Sequence, residues 1–492
     1  MTLPVSLYSA AQVRALDAHA IGDLHVPGYT LMKRAGEAAL RFLRTRWPTF
    51  HRLVVVCGGG NNGGDGYVLA RFAQAAGLTV TVLSAVPPER LEGDARQAYG
   101  DLVASGGRVL PFASARLSEG EVVADAFLGT GLHGRVRADA AEVIGAMNAS
   151  ARPIFALDIP SGLDSDTGEP LGAAIRADCT VTFVALKTGL FIGGGPEYTG
   201  TIFFDDLEVP VPATPEFRPR LARIAEAEIA AALPRRARES HKGDFGRVLI
   251  VGGGVGMPGA VRLAGEAALR VGAGLVTVAV APENVVAIAA GRPELICLSL
   301  TDAHALPKAI EQANVIAIGP GLGQTEWSSQ ILTTVLSCQK PLVLDADALN
   351  LIAERGAAPR ENWILTPHPG EAARLLGTSA HDIQHDRLAA LGRLVERYGG
   401  VIVLKGAGTL VGSHGRVPGL CEHGNPGMAS AGMGDVLTGA TAGVLSQCGD
   451  PWVAARVAVL AHAMSGDAVA RGGERGLLAG DVARELRASV NR

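Results

Sequence analysis

Residues 57–66 read CGGGNNGGDG and follow directly on the apolar run RLVVV at 52–56. The reading of these glycines decides the fold. A strand, a tight glycine turn and a helix start together cradle a phosphate, because the backbone can approach the ligand and the free N–H groups of the helix face it. Residues 58–63 fit G-x-G-x-x-G, and the pattern returns as GVGMPG at 254–259. Two ordinary dinucleotide-binding domains would be the simplest interpretation. That interpretation also requires an acid at the end of the second strand, to hold the ribose hydroxyls. After the first turn the second strand runs LTVTVLSAVPP and ends at Ser84 with no acid. After the second turn it runs LVTVAVAPEN, where Glu283 sits behind Pro282. Neither turn is an ordinary NAD cradle.

Working outward, short β-branched runs alternate with helical stretches in both halves of the chain. RLVVV, LTVTVL, VVADAF, PIFAL and CTVTFVAL read as strands of the first half, after helical patterning over about residues 10–44. RVLIV, LVTVAV, NVIAIG, PLVLDA, NWILT and VIVLKG read as strands of the second. Continuous apolar runs, rather than strict alternation, mark strands covered on both faces and so a mostly parallel sheet. Between the halves, LEVPVPATPEFRPR breaks the rhythm with prolines, and LARIAEAEIAAALPRR reads as a helix of the second half. The expected domains are residues 1–212 and 223–492, with a linker at 213–222. The fold class is α/β, a three-layer Rossmann-like domain followed by a second α/β domain.

Composition agrees with a globular protein of this class. The 492 residues are 48% hydrophobic and 19% charged, with 64 glycines and only 4% aromatics, which suits tight βα turns and aliphatic strands. A net charge of −4 gives no nucleic-acid footprint. Six scattered cysteines without CxxC spacing read as reduced thiols. No basic leader and no unbroken membrane-length apolar run is present, so a cytoplasmic protein is expected.

Several strand ends carry chemistry. ADAFLGTGLHGR and ALDIPSGLDSDTG put Asp125 and Asp158 at carboxyl ends of apolar strands, the edge where ligands bind in an open parallel sheet. Either acid could instead cap a helix or turn. In the second half, VIVLKGAGTLV places Lys405 and a Gly406-Ala407-Gly408 turn between two strands. GNPGMASAGMGDVLTGATAG then opens a helix at Gly432-Met433-Gly434-Asp435. Glycine-exposed N–H groups there form an anion hole, and an aspartate beside it can take a proton from a hydroxyl that attacks phosphorus. His368 with Glu371 on NWILTPHPGEAARLL, and Asp345, Asp347 and Asn350 on VLDADALN, are further polar strand ends. The latter either orient loops or metal-bound water, or cap the next helix.

CGGGNNGGDGYVLAR, DIPSGLDSDTG and ADCTVTFVALKTGL resemble the epimerase domain of the NAD(P)H-hydrate repair enzymes. HKGDFGRVLIVGGG, LTPHPGEAARLL and NPGMASAGMGDVLTG resemble their dehydratase domain, which has a ribokinase-like fold. The resemblance covers both halves, in the order of the bacterial bifunctional members. It implies substrates NADHX and NADPHX, nicotinamide nucleotides that have taken up water at C6. The first domain would interconvert R and S hydrates; the second would dehydrate the S form with ADP as co-substrate.

The resemblance also implies site residues. Asn61, Asn62, Gly63, Gly64 and Asp65 correspond to a hydrate-binding loop, and Gly129, Thr130, Gly131, Leu132, His133, Gly134 and Arg135 to a second. Asn62, Asp125 and Ser161 correspond to a potassium site. Asp158 corresponds to a substrate-contacting, proton-moving acid, with Lys187 as an electrostatic helper. Ala260, Gly323, His368 and Asp435 correspond to the dehydratase hydrate site, with Asp435 catalytic. Lys405, Gly406, Ala407, Gly408, Thr409 and Gly434 correspond to the ADP site, with magnesium held through water near Glu371. Two departures stand out: His368-x-x-Glu371 where the wider fold group often has Asn-x-x-Glu, and Met433 inside the glycine turn. Partners are expected to be small molecules, with neither nucleic acid nor membrane, and a homo-oligomer is expected. The rival reading is a ribokinase-like small-molecule kinase fused to a ligand-binding or scaffolding domain. An oxidoreductase is disfavoured by the missing ribose acid.

Overall fold

The computed structural model describes residues 3–301 and 305–491. The chain divides into two compact units, Met1–Leu221 and Ala222–Arg492. In the first, the strands are β1 (Ser6–Tyr8), β2 (Arg52–Cys57), β3 (Thr79–Ser84), β4 (Val109–Pro111), β5 (Val122–Ala126), β6 (Ile154–Leu157), β7 (Cys179–Phe183), β8 (Leu186–Lys187) and β9 (Thr201–Asp205). Seven of them form a parallel sheet in the order β4-β3-β2-β5-β6-β7-β9. β1 and β8 make a separate parallel pair. The β2, β5 and β6 side chains are buried on both faces apart from Arg52, as the unbroken apolar runs require.

The second unit contains β10 (Leu221–Arg223), β11 (Arg247–Val251), β12 (Leu275–Val280), β13 (Ile296–Ser299), β14 (Val315–Ile318), β15 (Leu342–Leu344), β16 (Trp363–Leu365), β17 (Val401–Leu404), β18 (Thr409–Ser413) and β19 (Gly419–Cys421). The order runs β13-β12-β11-β14-β15-β16-β17-β18-β19-β10, parallel as far as β17 and antiparallel across β18. In both units the strand order reverses beside the first long strand, between β2 and β5 and between β11 and β14. Crossovers leave in opposite directions there, so a crevice opens at the carboxyl edge.

The connecting stretch differs from expectation. Phe217, within the expected linker, is buried in the core of the first unit. LARIAEAEIAAALPRR is not one helix: Leu221–Arg223 pairs with β19, and only Ala227–Ala232 is helical. Its alanines favour helix, but the ladder partner at β19 overrides that weak preference. One helix among the described residues, Pro451–Ala470, is long and apolar enough to cross a membrane. Its central turns, Ala454 onward through Gly466, are buried in the core of the second unit.

The helices Pro258–Arg270 and Met433–Cys448 touch most closely at Gly439, where an added Cβ would lie 1.9 Å from the Ala264 carbonyl oxygen. Gly439→Val should therefore lower stability in urea unfolding by about 1–3 kcal/mol. Gly480, in the helix Ala479–Ser489, has nothing near its missing side chain. Gly480→Ala should raise stability by about 0.5–1 kcal/mol in the same measurement.

Candidate active sites

In the first unit the turn after β2 leads straight into the helix Asn61–Ala75, whose N-cap Gly60 offers no side-chain cap. Its first N–H groups are left for a ligand. Residues 61–65 are thus a helix start and not a loop. A cavity of about 900 Å³ opens against them. Asn61, Asn62, Asp65, Asp158, Lys187, residues 129–133 and Arg135 line it. Gly63, Gly64 and Gly134 do not. A Cβ on Gly63 would lie 2.1 Å from the Gly58 carbonyl oxygen, and one on Gly64 would strike Met32, so both are packing glycines. Gly134 is a turn residue at φ +73°.

Asp158 follows β6 in the left-handed region at φ +66°, and its N–H donates to the Val181 carbonyl at 2.7 Å. The carboxylate is thereby aimed at the Lys187 ammonium, with which it forms an ion pair. Lys187 is wholly buried and also donates to Thr182 Oγ1 and the Phe183 carbonyl, each at 2.9 Å. Behind the cavity, the Asp125 carboxylate accepts the Ser161 N–H at 2.8 Å and the Ser161 hydroxyl at 2.6 Å. Burial outweighs those donors and pushes Asp125 up to about 6. Asn62 donates Nδ2 to the Leu128 carbonyl at 3.1 Å, while its buried Oδ1 has no partner. An unsatisfied buried acceptor costs about 1–3 kcal/mol. Asn62 Oδ1, Asp125 and Ser161 form an all-oxygen set that fits a hard cation.

Sequence reasoning missed part of this cavity. Asp17 and Arg14, on the helix Ala10–Gly22, line it, and Arg14 donates to the Thr130 carbonyl at 3.0 Å. No glycine or strand end marks them; tertiary packing alone brings this helix to the cavity.

In the second unit the chemistry again lies at carboxyl ends. Asp345 follows β15, His368 follows β16 and Lys405 follows β17. Lys405 Nζ meets Asp345 Oδ1 at 2.6 Å and Glu371 Oε2 at 3.6 Å, and the Thr438 hydroxyl donates to Asp345 Oδ2 at 2.7 Å. Burial disfavours both charges, but the pair prevails: Asp345 stays below the usual carboxylate range and Lys405 above the usual lysine value. A Cβ on Gly434 would lie 3.3 Å from Lys405 Nζ, so the helix start adjoins the ammonium. Asp435, half-buried in the first turn of Met433–Cys448, has the opposite fate. Burial first, then Asp345, Asp347 and Glu371, push it up to about 7 against the pull of Lys405.

His368 caps the helix Pro369–Leu376, accepting the Gly370 N–H at Nδ1 (3.0 Å), and its own N–H donates to Glu371 Oε2 at 2.7 Å. Burial lowers its pKa, so the ring favours the neutral form. Gly323, at φ +77°, donates its N–H to Asp347 Oδ2 at 2.8 Å; Ala260 faces the neighbouring Gly321. Gly406 and Ala407 are exposed, and Thr409 closes their turn through Oγ1 to the Gly406 carbonyl at 2.9 Å. Met433 is buried in the core, so its bulk points away from the glycine turn. Arg387 escaped sequence reasoning. Its buried guanidinium donates to the Leu404 and Gly408 carbonyls, each at 3.2 Å, and pins the Lys405 turn from below.

Two family models match the chain: one described as YjeF-related protein N-terminus over residues 28–189, the other as NAD(P)H-hydrate dehydratase over 248–487. The bifunctional NAD(P)H-hydrate repair enzyme Nnr of Coxiella burnetii is 47% identical over 489 residues, 99% of each chain. The chain belongs to the bifunctional NAD(P)H-hydrate repair enzymes. The Escherichia coli K12 member is 43% identical, covering 100% of this chain and 95% of its own. Among solved structures, a ribokinase-like superfamily protein of Enterococcus faecalis aligns with a TM-score of 0.52 and 32% identity, over 55% of this chain and 96% of its own. The second unit of this repair-enzyme chain is thus ribokinase-like.

Lys405→Met would leave Asp345 buried and ionised without its cation. It should cost about 3–5 kcal/mol in urea unfolding, most of it recovered when Asp345→Asn is added.

Proposed function

We propose that the first unit interconverts the R and S hydrates of NADH and NADPH, and that the second dehydrates the S hydrate with ADP. The observation that carries the reading is the separation of two acids in one neighbourhood: Asp345 held ionised by Lys405, Asp435 raised to about 7. A base poised near neutrality beside a cation and a glycine-exposed helix start is suited to phosphoryl transfer onto a hydroxyl.

Asp435 takes the proton of the C6 hydroxyl as that oxygen attacks the terminal phosphorus of ADP, releasing AMP. The C6–O bond then breaks with departure of orthophosphate, driven by the N1 lone pair, and loss of a C5 proton restores the dihydronicotinamide. Phosphate leaves far more readily than hydroxide, which is why a nucleotide is needed. Lys405, the turn at Gly406, Ala407, Gly408 and Thr409, and the N–H groups at Gly434 hold the nucleotide phosphates. Ala260, Gly323 and His368 hold the hydrate; neutral His368 can contact it without repelling a cationic intermediate. Asp345, Asp347, Glu371 and Asp435 outnumber Lys405, a charge excess suited to a magnesium ion brought with the nucleotide. When bound, magnesium would neutralise charge on the transferring phosphate.

In the epimerase half, Asn61, Asn62 and Asp65 with residues 129–133 and Arg135 contact the hydrate, and Asp158 moves its proton. Asn62, Asp125 and Ser161 would hold potassium, whose charge would satisfy the unpartnered Asn62 Oδ1. A stable phosphorylated product would instead indicate a small-molecule kinase.

Mixed R and S hydrates with ADP and magnesium should regain full absorbance at 340 nm, with AMP formed; incomplete recovery or a phosphorylated hydrate as end product overturns the reading. Dehydratase kcat/KM should rise with pH up to about 7 as Asp435 ionises. Asp435→Asn should reduce kcat by about 10²–10⁴-fold. Ionising a carboxyl raised from 3.8 to about 7 costs stability increasingly through that interval and fully above it, so this variant should unfold no more easily than wild type at pH 8. Replacing potassium by lithium should slow epimerisation, and Asn62→Leu should abolish the difference between the two ions.

A further inference from the structure

The cavity of the first unit holds an acid that no motif marks. Asp17, Asp65 and Asp158 all line it, and of the cations that line it, Arg14, Arg90, Arg135, Arg137 and Lys187, it is the Lys187 ammonium that opposes the charge of Asp17 and Asp65. Lys187 is committed to Asp158, Thr182 and the Phe183 carbonyl. Asp17 and Asp65 are half-buried and have no hydrogen bond or ion pair among the described residues. Burial of unpaired like charges disfavours ionisation, so such a cluster retains a proton near neutrality. Asp17 is pushed up to about 6, by burial first and by Asp158, with Lys187 opposing. Burial, Asp158 and Asp17 drive Asp65 further up. The charged groups facing Asp17 are thus Asp65 from the helix after β2, Asp158 from the turn after β6 and Lys187 from β8, while Arg14 on its own helix is drawn to Thr130.

An epimerase acting at C6 needs two groups of opposite proton state on the two faces of the ring. Asp158, fixed by its left-handed backbone, is the one paired with the Lys187 ammonium. We propose that Asp17 is the second catalytic residue of the epimerase, a carboxylic acid that gives its proton to the departing C6 hydroxyl. The inference rests on the epimerase reading above. The C6–O bond breaks, the oxygen leaves as water with the Asp17 proton, and the N1 lone pair forms an N1=C6 iminium. Water then adds to the opposite face of C6, its electron pair forming the new C–O bond and its proton passing to Asp158. The hydrate emerges inverted, with one proton moved from Asp17 to Asp158, and exchange among Asp17, Asp65 and solvent resets the cluster. In the reverse direction the roles interchange. Asp65 serves as the reservoir because it adjoins both acids electrostatically.

The test follows epimerisation by chromatographic separation of the R and S hydrates, with purified S hydrate, potassium and full-length Asp17→Asn, Asp17→Glu and wild-type protein. ADP-dependent dehydration of the S hydrate is measured in parallel. Asp17→Asn should lose about 10²-fold or more in epimerisation kcat with KM changed less than about threefold, while dehydration is unchanged. Asp17→Glu should recover part of kcat and shift the pH profile. Epimerisation by wild type in H₂¹⁸O should place the label at C6 once per inversion. An Asp17→Asn rate within about threefold of wild type overturns the proposal, as does a loss appearing in KM alone. Wild-type protein without any epimerisation would instead defeat the underlying reading of the first unit.

Discussion

A parallel sheet cannot satisfy a ligand along its faces, because helices cover both of them. What remains is the carboxyl edge, and there the only gap is where neighbouring crossovers leave in opposite directions. Between β2 and β5, and between β11 and β14, this chain has such a gap in each unit. Asn61, Asn62 and residues 129–133 lie beside the first and Gly323 beside the second, while Asp158 follows the next strand along and Asp345, His368 and Lys405 continue the second site along the carboxyl edge of β15, β16 and β17. Glycines at the turns permit the close approaches: a Cβ on Gly58 would lie 1.9 Å from the Phe127 carbonyl oxygen, and one on Gly252 would lie 2.1 Å from that of Pro320. The two glycine fingerprints are therefore geometry first. They mark strand-turn-helix joints that press against the neighbouring strand's loop, and the ligand class is set by what the adjoining loops add.

That distinction explains what the sequence could and could not disclose. The strand ends at Asp125, Asp158, Asp345 and His368 were legible because each follows an apolar run and precedes a turn, a purely local pattern. The Lys405 turn and the helix start at Gly434 were legible for the same reason. Asp17 was not, since it sits in an unremarkable helix of mixed polarity and acquires its meaning only when that helix packs over the cavity. Arg387 was hidden likewise, eighteen residues before the turn it pins. Short strands such as β10 and β19 escaped because three residues carry no periodicity, and a ladder partner decides their state. Gly63 and Gly64 show what a motif match leaves out: both are also required by packing, where an added Cβ would strike the Gly58 carbonyl or Met32.

The two sites solve one electrostatic problem differently. Each sets several carboxylates around one buried lysine in a partly dry place, so the carboxyls that the lysine does not pair are pushed toward holding protons. In the second unit Lys405 is close enough to Asp345 to keep it charged, and Asp345 in turn raises Asp435 to a value useful at neutral pH. Burial is the larger cause of that rise and Asp345 the next, so a base at this position would owe its strength partly to a neighbour that does not react. Phosphate arriving at Lys405 would weaken that hold on Asp345, yet the nucleotide's own negative charge raises Asp435 further. Proton removal from the hydroxyl therefore becomes more favourable once the hydrate and nucleotide are both in place.

In the first unit the same arithmetic turns on Lys187. Lys187 is fully buried and its three donor directions are occupied by Asp158, Thr182 and Phe183, so it hydrogen-bonds only one of the three carboxylates and acts on the other two from a distance. Asp158 takes that place because its strained backbone turns it toward the ammonium. The other two acids are left to share what proton the pH allows. An isomerase needs such a reserve more than a dehydratase does, since its reaction begins and ends with the same number of protons on substrate and must run equally well from either face. A site with one acid paired to a buried ammonium and two that exchange a proton meets that requirement without any net consumption, and a single buried lysine is enough to break the symmetry among the three.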